Sequence, residues 1–246
     1  MDEIFAKYGL KIAPNGSHLY REDLTKRDYS LESTTPIVFS FDTISFQEKS
    51  WKNLLPKIVD LMFQTSGRSK EEALAFRTDW TRQAFFYTSN LKSNLLPLKN
   101  GLFLNGNFTA THSVWCLQDL LDFFCIPKSE CTLIIHRPSG AEPEEVREYF
   151  KKHRCEKFKS FLVSLYKYDE DKINRIIANI DFISRAYLAK LSKSYNDLFL
   201  FDSQAVFLSY QSKLVDSVKQ KGNEKLANSI ATYLQYLKGF YAALFY

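Results

Sequence analysis

The sequence predicts an α+β fold: a small mixed α/β, winged-helix-like N-terminal module followed by an all-helical C-terminal half. Three observations carry that expectation. Strand patterns, chiefly the alternation Ile37-Val38-Phe39-Ser40-Phe41 and the apolar run Cys131–His136, lie before residue 140. Beyond it, apolar residues recur three and four apart, the spacing of helices that bury one face. The chain has 8 Gly against 21 Phe and 14 Tyr, so few positions suit tight loops with φ > 0 and much ring area is available for dense cores or a buried interface.

In chain order, residues 1–35 read as a lead-in: a short helix, a turn at Pro14-Asn15-Gly16, then a charged, hydroxyl-rich stretch from Arg21 to Thr35 expected to be extended or loosely ordered. Residues 36–140 form the mixed module. Asp42-Thr43 can turn the first strand into Ile44-Ser45-Phe46, a hairpin. Ser50 is expected to cap a helix whose stripe is Trp51, Leu54, Leu55, Ile58, Leu61 and Met62, with Pro56 shortening or kinking its first turns. Glu71–Phe76 reads as a further helical piece, and Phe85-Phe86-Tyr87 and Leu102-Phe103-Leu104 as short strands. Ser113 is expected to open a helix carrying Val114, Leu117, Leu120, Leu121 and Phe124, followed after Pro127 by the buried strand Cys131–His136.

Arg137-Pro138-Ser139-Gly140 combines a helix breaker with turn residues and is expected to be an exposed linker. Residues 141–246 form the helical domain. Pro143 suits a first helical position and Glu144 and Glu145 the positive helix N-terminus. Leu198–Phe201 is the one strand candidate there. Gly222-Asn223 divides the last two helices into an αα-hairpin, whose second arm carries Leu226, Ile230, Tyr233, Leu234, Leu237, Tyr241 and Leu244.

Composition narrows function only by exclusion. The net charge of +5 permits nucleic-acid binding without implying it. The four cysteines form no C-x-x-C, and the apolar neighbours of three of them predict reduced, buried thiols. Met1-Asp2-Glu3-Ile4 has no basic n-region, and the apolar end Tyr233–Tyr246 is interrupted by Lys238 and too short for a bilayer, so a cytoplasmic protein without membrane contact is expected. Two N-x-[ST] matches, at Asn15 and Asn107, matter only in a secreted chain. Phosphate-binding glycine loops, a nucleophile elbow and H-E-x-x-H are all absent, and no cofactor is expected. Cys125, Cys131, His136, His153 and Cys155 match no paired-ligand spacing, so no metal is expected either.

Two groups of lysines are candidates for contacting nucleic acid or another partner: Lys151, Lys152 and Lys159 in a segment interleaved with Tyr149, Phe150, Phe158 and Phe161, and Lys213, Lys219, Lys221 and Lys225 around the last hairpin. In the first segment Phe150, Phe158, Phe161 and Leu165 share a helical face and are expected to be core. The helix after Ser113 carries Asp119 and Asp122 and no base, which disfavours a DNA-reading helix there.

Three resemblances add expectations. Arg147-x5-His153 resembles the R-x(4–6)-H motif of HEPN ribonucleases, which implies metal-independent RNA cleavage at a dimer interface. HEPN proteins usually carry Asn, His or Asp after the Arg, where this chain has Glu148, and two residues six apart on one helix, ~9 Å along its axis, can act only in a composite site. Phe39–His136, with Ser50-Trp51-Lys52-Asn53-Leu54-Leu55 and Asn107-Phe108-Thr109-Ala110-Thr111, resembles a module of bacterial restriction and phage-defence proteins. Ser229–Tyr241 is similar to a helix of the core-binding, SAM-like domain of phage integrases, which implies DNA contact. Together these point to a non-enzymatic binding or accessory factor of a bacterial or phage defence-related system, engaging a protein or nucleic acid. The alternatives are a HEPN-like ribonuclease and a phage-encoded protein inhibitor. A homo-oligomer is left open.

Overall fold

The computed structural model describes residues 2–14, 17–27, 31–81, 83–90, 94–167 and 169–245. Asn15 and Gly16, and with them the expected turn and the first N-x-S match, lie outside these residues. The chain divides into two compact units, Met1–Leu10 with Leu19–Arg137, and Lys11–His18 with Pro138–Tyr246. Among the described residues no helix is long and apolar enough to cross a membrane.

The N-terminal half is mixed α+β. In chain order it contains α1 (Asp2–Lys7), β1 (Leu10–Ile12), β2 (His18–Glu22), β3 (Thr35–Phe41), β4 (Ile44–Gln47), α2 (Trp51–Ser66), α3 (Lys70–Ala75), β5 (Phe86–Tyr87), β6 (Leu95–Pro97), β7 (Phe103–Asn105), α4 (Ala110–Phe123) and β8 (Cys131–His136). A five-stranded sheet runs β1-β2-β8-β3-β4, and a three-stranded one β5-β7-β6. The apolar run of β8 takes the centre of the larger sheet, antiparallel to β2 (Tyr20 opposite Ile135) and to β3 (Phe39 opposite Leu133). Successive side chains alternate faces, so Cys131, Leu133 and Ile135 are buried and the residues between them half-buried. The helix α2 packs on β3, β4 and α4. It buries Leu54, Leu55, Ile58, Val59, Leu61 and Met62, the expected stripe with Val59 added and Trp51 left half-buried.

The β3–β4 hairpin forms as its alternation predicts, with Phe41 opposite Ile44 and Asp42 at φ +52° in the turn. A mixed α/β unit is therefore present, and its five-stranded sheet is broader than a short wing. Residues 1–35, expected to be a lead-in, supply β1 and β2. Ser50 sits at the N-cap of α2 without a side-chain bond, and α2 runs through Pro56 to Ser66. Pro56, the sixth residue of α2, cannot make the bond to the Lys52 carbonyl, and the helix continues past that missing bond. The helix α4 starts at Ala110 rather than after Ser113, because the Thr109 hydroxyl accepts the His112 N–H at 3.3 Å and caps it.

Arg137–Gly140 is not exposed. Arg137, Pro138 and Ser139 are buried, and the Arg137 guanidinium is bidentate on Glu22. Gly140 donates its N–H to the Ser194 carbonyl at 2.6 Å, and a Cβ on Gly140 would lie 2.0 Å from the Lys193 carbonyl oxygen. A close backbone crossing, rather than freedom, explains this glycine.

The C-terminal half is helical: α5 (Glu144–Tyr166), α6 (Glu170–Ile183), a π-turn at Ser184–Leu188, α7 (Ala189–Leu191), α8 (Gln204–Lys219) and α9 (Glu224–Leu244). Leu198–Phe201 is buried irregular chain, not a strand. Its Leu198, Phe199 and Phe201 belong to a core with Phe158, Leu162, Ile180, Leu234, Leu237 and Tyr241. Leu165, expected in that core, is 52% exposed, and Leu162 takes its place. Gly222, at φ +76°, breaks α8 from α9, and the Asn223 side chain caps α9 through Leu226 N–H at 3.1 Å.

Candidate functional site

The second unit buries several polar side chains, His18, Glu142, Arg154, Asp197 and Asp202 among them. Arg154 lies on α5 between Phe150 and Phe158, four residues from each, and so points inward with them. Its guanidinium donates to the Phe199 carbonyl at 3.1 Å and to the Phe201 carbonyl, and meets His18 Nε2 at 3.3 Å. A guanidinium only donates, so Nε2 accepts and the opposite nitrogen, Nδ1–H, donates to Glu142 Oε1 at 2.5 Å. The His18 ring stacks on Phe150 with centroids 4.0 Å apart. Both ring nitrogens and one ring face are thus occupied, and His18 is 2% exposed. The arrangement fixes the irregular segment Ser192–Asp202. It does not present a base to a substrate.

The same segment is held at three more points. The Tyr195 hydroxyl donates to Asp202 at 2.8 Å and the Tyr241 hydroxyl to the Leu198 carbonyl at 2.6 Å. Asp197 accepts the Phe199 N–H at 2.9 Å and pairs with Lys151 at 2.7 Å. Burial pushes both phenols well above the ordinary tyrosine range, with the Asp202 charge adding to the effect at Tyr195. Burial alone would lower the Lys151 ammonium. The hydrogen bond and charge of Asp197, with Asp181 at 3.7 Å, outweigh it and hold the group above the ordinary lysine value.

The candidate lysines therefore fall into two kinds. Lys151 is half-buried and engaged by two carboxylates, whereas Lys152 and Lys159 are exposed on α5. Lys213, Lys219, Lys221 and Lys225 are all exposed. Lys213 lies over the Tyr210 ring at 4.9 Å, and Lys219, Lys221 and Lys225 lie in or beside the α8–α9 turn. No ion pair of the described residues uses any of these four. The charge is also unevenly divided: the second unit carries 18 Lys and Arg against 13 Asp and Glu, and the first 15 against 15, so the net +5 belongs to the second.

Arg147 and His153 both lie on α5, the first half-buried and the second exposed, and no hydrogen bond joins them. His153 Nδ1–H donates to the Tyr149 carbonyl at 3.0 Å, and its ring packs on Tyr149 at 4.2 Å, which leaves Nε2 as the acceptor on the outer side.

All four cysteines are free thiols, but only Cys116 and Cys131 are buried; Cys155 is intermediate and Cys125 exposed. Cys125 escapes the apolar prediction because it sits just past α4 at φ +55°, where its Sγ meets the Arg68 guanidinium at 3.4 Å. Among the described residues no group of three or more His, Cys, Asp or Glu could hold a metal ion.

The sequence does not single out His18 or Glu142, and it shows Arg154 only as one cation of the basic segment around Lys151, Lys152 and Lys159. For Arg154 the signal existed: a base four residues from two aromatic core positions falls on the buried stripe. Comparison with known proteins returns no match: no family model, no curated protein and no solved structure is similar to this chain.

Proposed function

We propose that this protein is a non-enzymatic binding or accessory factor, of the kind that serves bacterial or phage defence systems, and that it engages a macromolecular partner through the basic surface of its helical unit. The observation that carries the reading is the division of labour among its polar groups. Those in the helical core, namely His18, Glu142, Arg154, Tyr195, Asp202 and Tyr241, are tied to one another or to backbone, while the surplus cations face water. His18, with both ring nitrogens engaged and the side chain buried, is not placed to exchange a proton with a substrate. Exposed unpaired lysines are available for an anionic partner.

The test is affinity purification of the intact protein from a bacterial host, with and without nuclease treatment, followed by mass spectrometry and nucleic-acid analysis. A specific partner lost on reversal of the hairpin lysines supports the reading. Recovery of the protein alone, with the variant indistinguishable, removes it.

One observation favours a second reading, the HEPN-like ribonuclease: the outward Nε2 of His153 is set by the Tyr149 carbonyl as a proton acceptor. His153→Ala should leave activity intact on the binding reading. Loss of RNA cleavage in a folded His153→Ala protein would favour the ribonuclease. A phage-encoded inhibitor, the third class, predicts a nuclease-resistant protein partner.

A further inference from the structure

We infer that the α8–α9 end of the helical unit binds the phosphate backbone of nucleic acid without reading its sequence; this rests on the binding-factor reading and names the partner class of the same surface. Lys219, Lys221 and Lys225 lie within seven residues, all exposed and, among the described residues, none in an ion pair. The turn that carries them is closed by backbone hydrogen bonds. Gln220 N–H bonds the Asp216 carbonyl at 2.9 Å, Lys221 N–H the Val218 carbonyl at 3.2 Å, Gly222 N–H the Lys219 carbonyl at 2.8 Å and Ala227 N–H the Asn223 carbonyl at 3.0 Å. Those bonds set where the three lysines leave the backbone and bring them to one end of the hairpin.

The composition of this end separates nucleic acid from protein as the partner. Residues 219–225 are Lys, Gln, Lys, Gly, Asn, Glu and Lys, every one exposed and none apolar or aromatic. A protein interface gains most of its energy from buried aromatic and apolar anchors, and this end has none to offer. A phosphate backbone asks only for cations and polar donors, which is what the turn presents. The nearby acids, Asp216 and Glu224, are fewer than the lysines. The turn carries no arginine, whose planar fork gives the geometrically specific pairing with a base edge, and its lysines act as point charges suited to positioning on a phosphate backbone.

The experiment is fluorescence anisotropy of the full-length protein with a labelled duplex of arbitrary sequence, its scrambled counterpart, a single-stranded RNA, and vesicles rich in anionic lipid, each over a salt series. Expected are equal affinities for the two duplexes and a salt slope that falls by about three when Lys219→Gln, Lys221→Gln and Lys225→Gln are combined, at about 0.9 per phosphate on duplex. The combined Lys→Glu changes should weaken binding more than tenfold at low salt. Thermal melts of both variants should match the parent, since every altered side chain is exposed. Strong preference for one duplex, an unchanged slope in the variants, binding to vesicles only, or no binding to either nucleic acid would each overturn the inference. If, in addition, the purified partner proves to be a nuclease-resistant protein that the Lys→Glu variant loses, the binding-factor reading stands while this inference falls.

Discussion

Arg154 is the residue on which the helical unit turns. Its guanidinium supplies donors to two backbone carbonyls in a segment with no regular structure and to His18. Arg154→Met would leave those acceptors buried without donors, at ~1–3 kcal/mol each, so a loss of about 3–5 kcal/mol is expected in urea unfolding followed by circular dichroism. Arg154→Lys should recover less than half of it, because one ammonium cannot span the fork's positions. A loss below about 1 kcal/mol would show that water satisfies the carbonyls instead. Nothing in composition or charge count distinguishes Arg154 from Lys152 or Lys157; only its phase on the helix does. The thiols make a second residue-scale case. Burial, and then the Glu130 charge, push Cys131 up to about 11, and burial raises Cys116 well above the thiol range. The unfolded thiols ionise near ~8.5, so from there upward the unfolded state binds fewer protons than the native one and stability falls with rising pH. Unfolding measured between about pH 8 and pH 10 should show that decline, and Cys116→Ala with Cys131→Ala should flatten it. Alkylation read by mass spectrometry should modify exposed Cys125 first and buried Cys116 last. Equal rates at the two sites would contradict the packing around α4.

At the scale of elements, patterns that are local in sequence are legible and pairings that are distant are not. The β3–β4 hairpin is readable from its alternation and from Asp42-Thr43, and α9 from apolar residues at helical spacing. The strand β6 is not, because Leu95-Leu96-Pro97 is too short to show a period and ends in a residue that strands avoid. Nor are β1 and β2: Lys11, Arg21 and Glu22 read as polar lead-in, and what makes β2 a strand is pairing with β8, more than a hundred residues away. The capping residue Thr109 was missed because Ser113, closer to the apolar run, competes for the role; Ser113 in fact returns its hydroxyl to the Thr109 carbonyl at 2.9 Å inside the helix. For α9 the energetic consequence is direct. Ile230, Leu234, Leu237, Phe240 and Tyr241 are at most 3% exposed, and burying each large apolar side chain contributes ~1.5–3 kcal/mol. A chain ended at Gly222 should therefore lose the cooperative unfolding of the helical unit rather than a frayed tail. Retention of a sharp thermal transition with native helical content in the remaining α5–α8 would refute the role given to α9.

At the scale of the molecule, a charge of +5 that looks evenly spread along the chain resolves, once the fold assigns residues to units, into a neutral mixed unit and a basic helical one. The partition could not be read in advance because Lys11–His18 belongs to the second unit although it precedes the whole of β3–β8. The same assignment reverses the expectation for proteolysis. Arg137-Pro138-Ser139-Gly140 has the composition of a loose linker, yet Arg137 is 6% exposed and held by three hydrogen bonds to Glu22. Ser139 donates its hydroxyl to the Ser194 carbonyl at 3.0 Å, beside the Gly140 bond to the same oxygen. A protease needs a segment it can draw out into an extended strand, and drawing out this one breaks a buried ion pair and two backbone contacts together. Trypsin also cleaves poorly before proline, so elastase, which accepts small residues, is the fairer probe at Ser139-Gly140. Among the described basic sites, Lys219 and Lys221 in the exposed α8–α9 turn should be cut by trypsin before any cleavage near residue 137, and elastase should leave Ser139-Gly140 intact while the native circular dichroism persists. Mass spectrometry of the early fragments decides it: first cuts at 137–140 in folded protein would mean that this crossing opens readily and that its hydrogen bonds do not hold the chain.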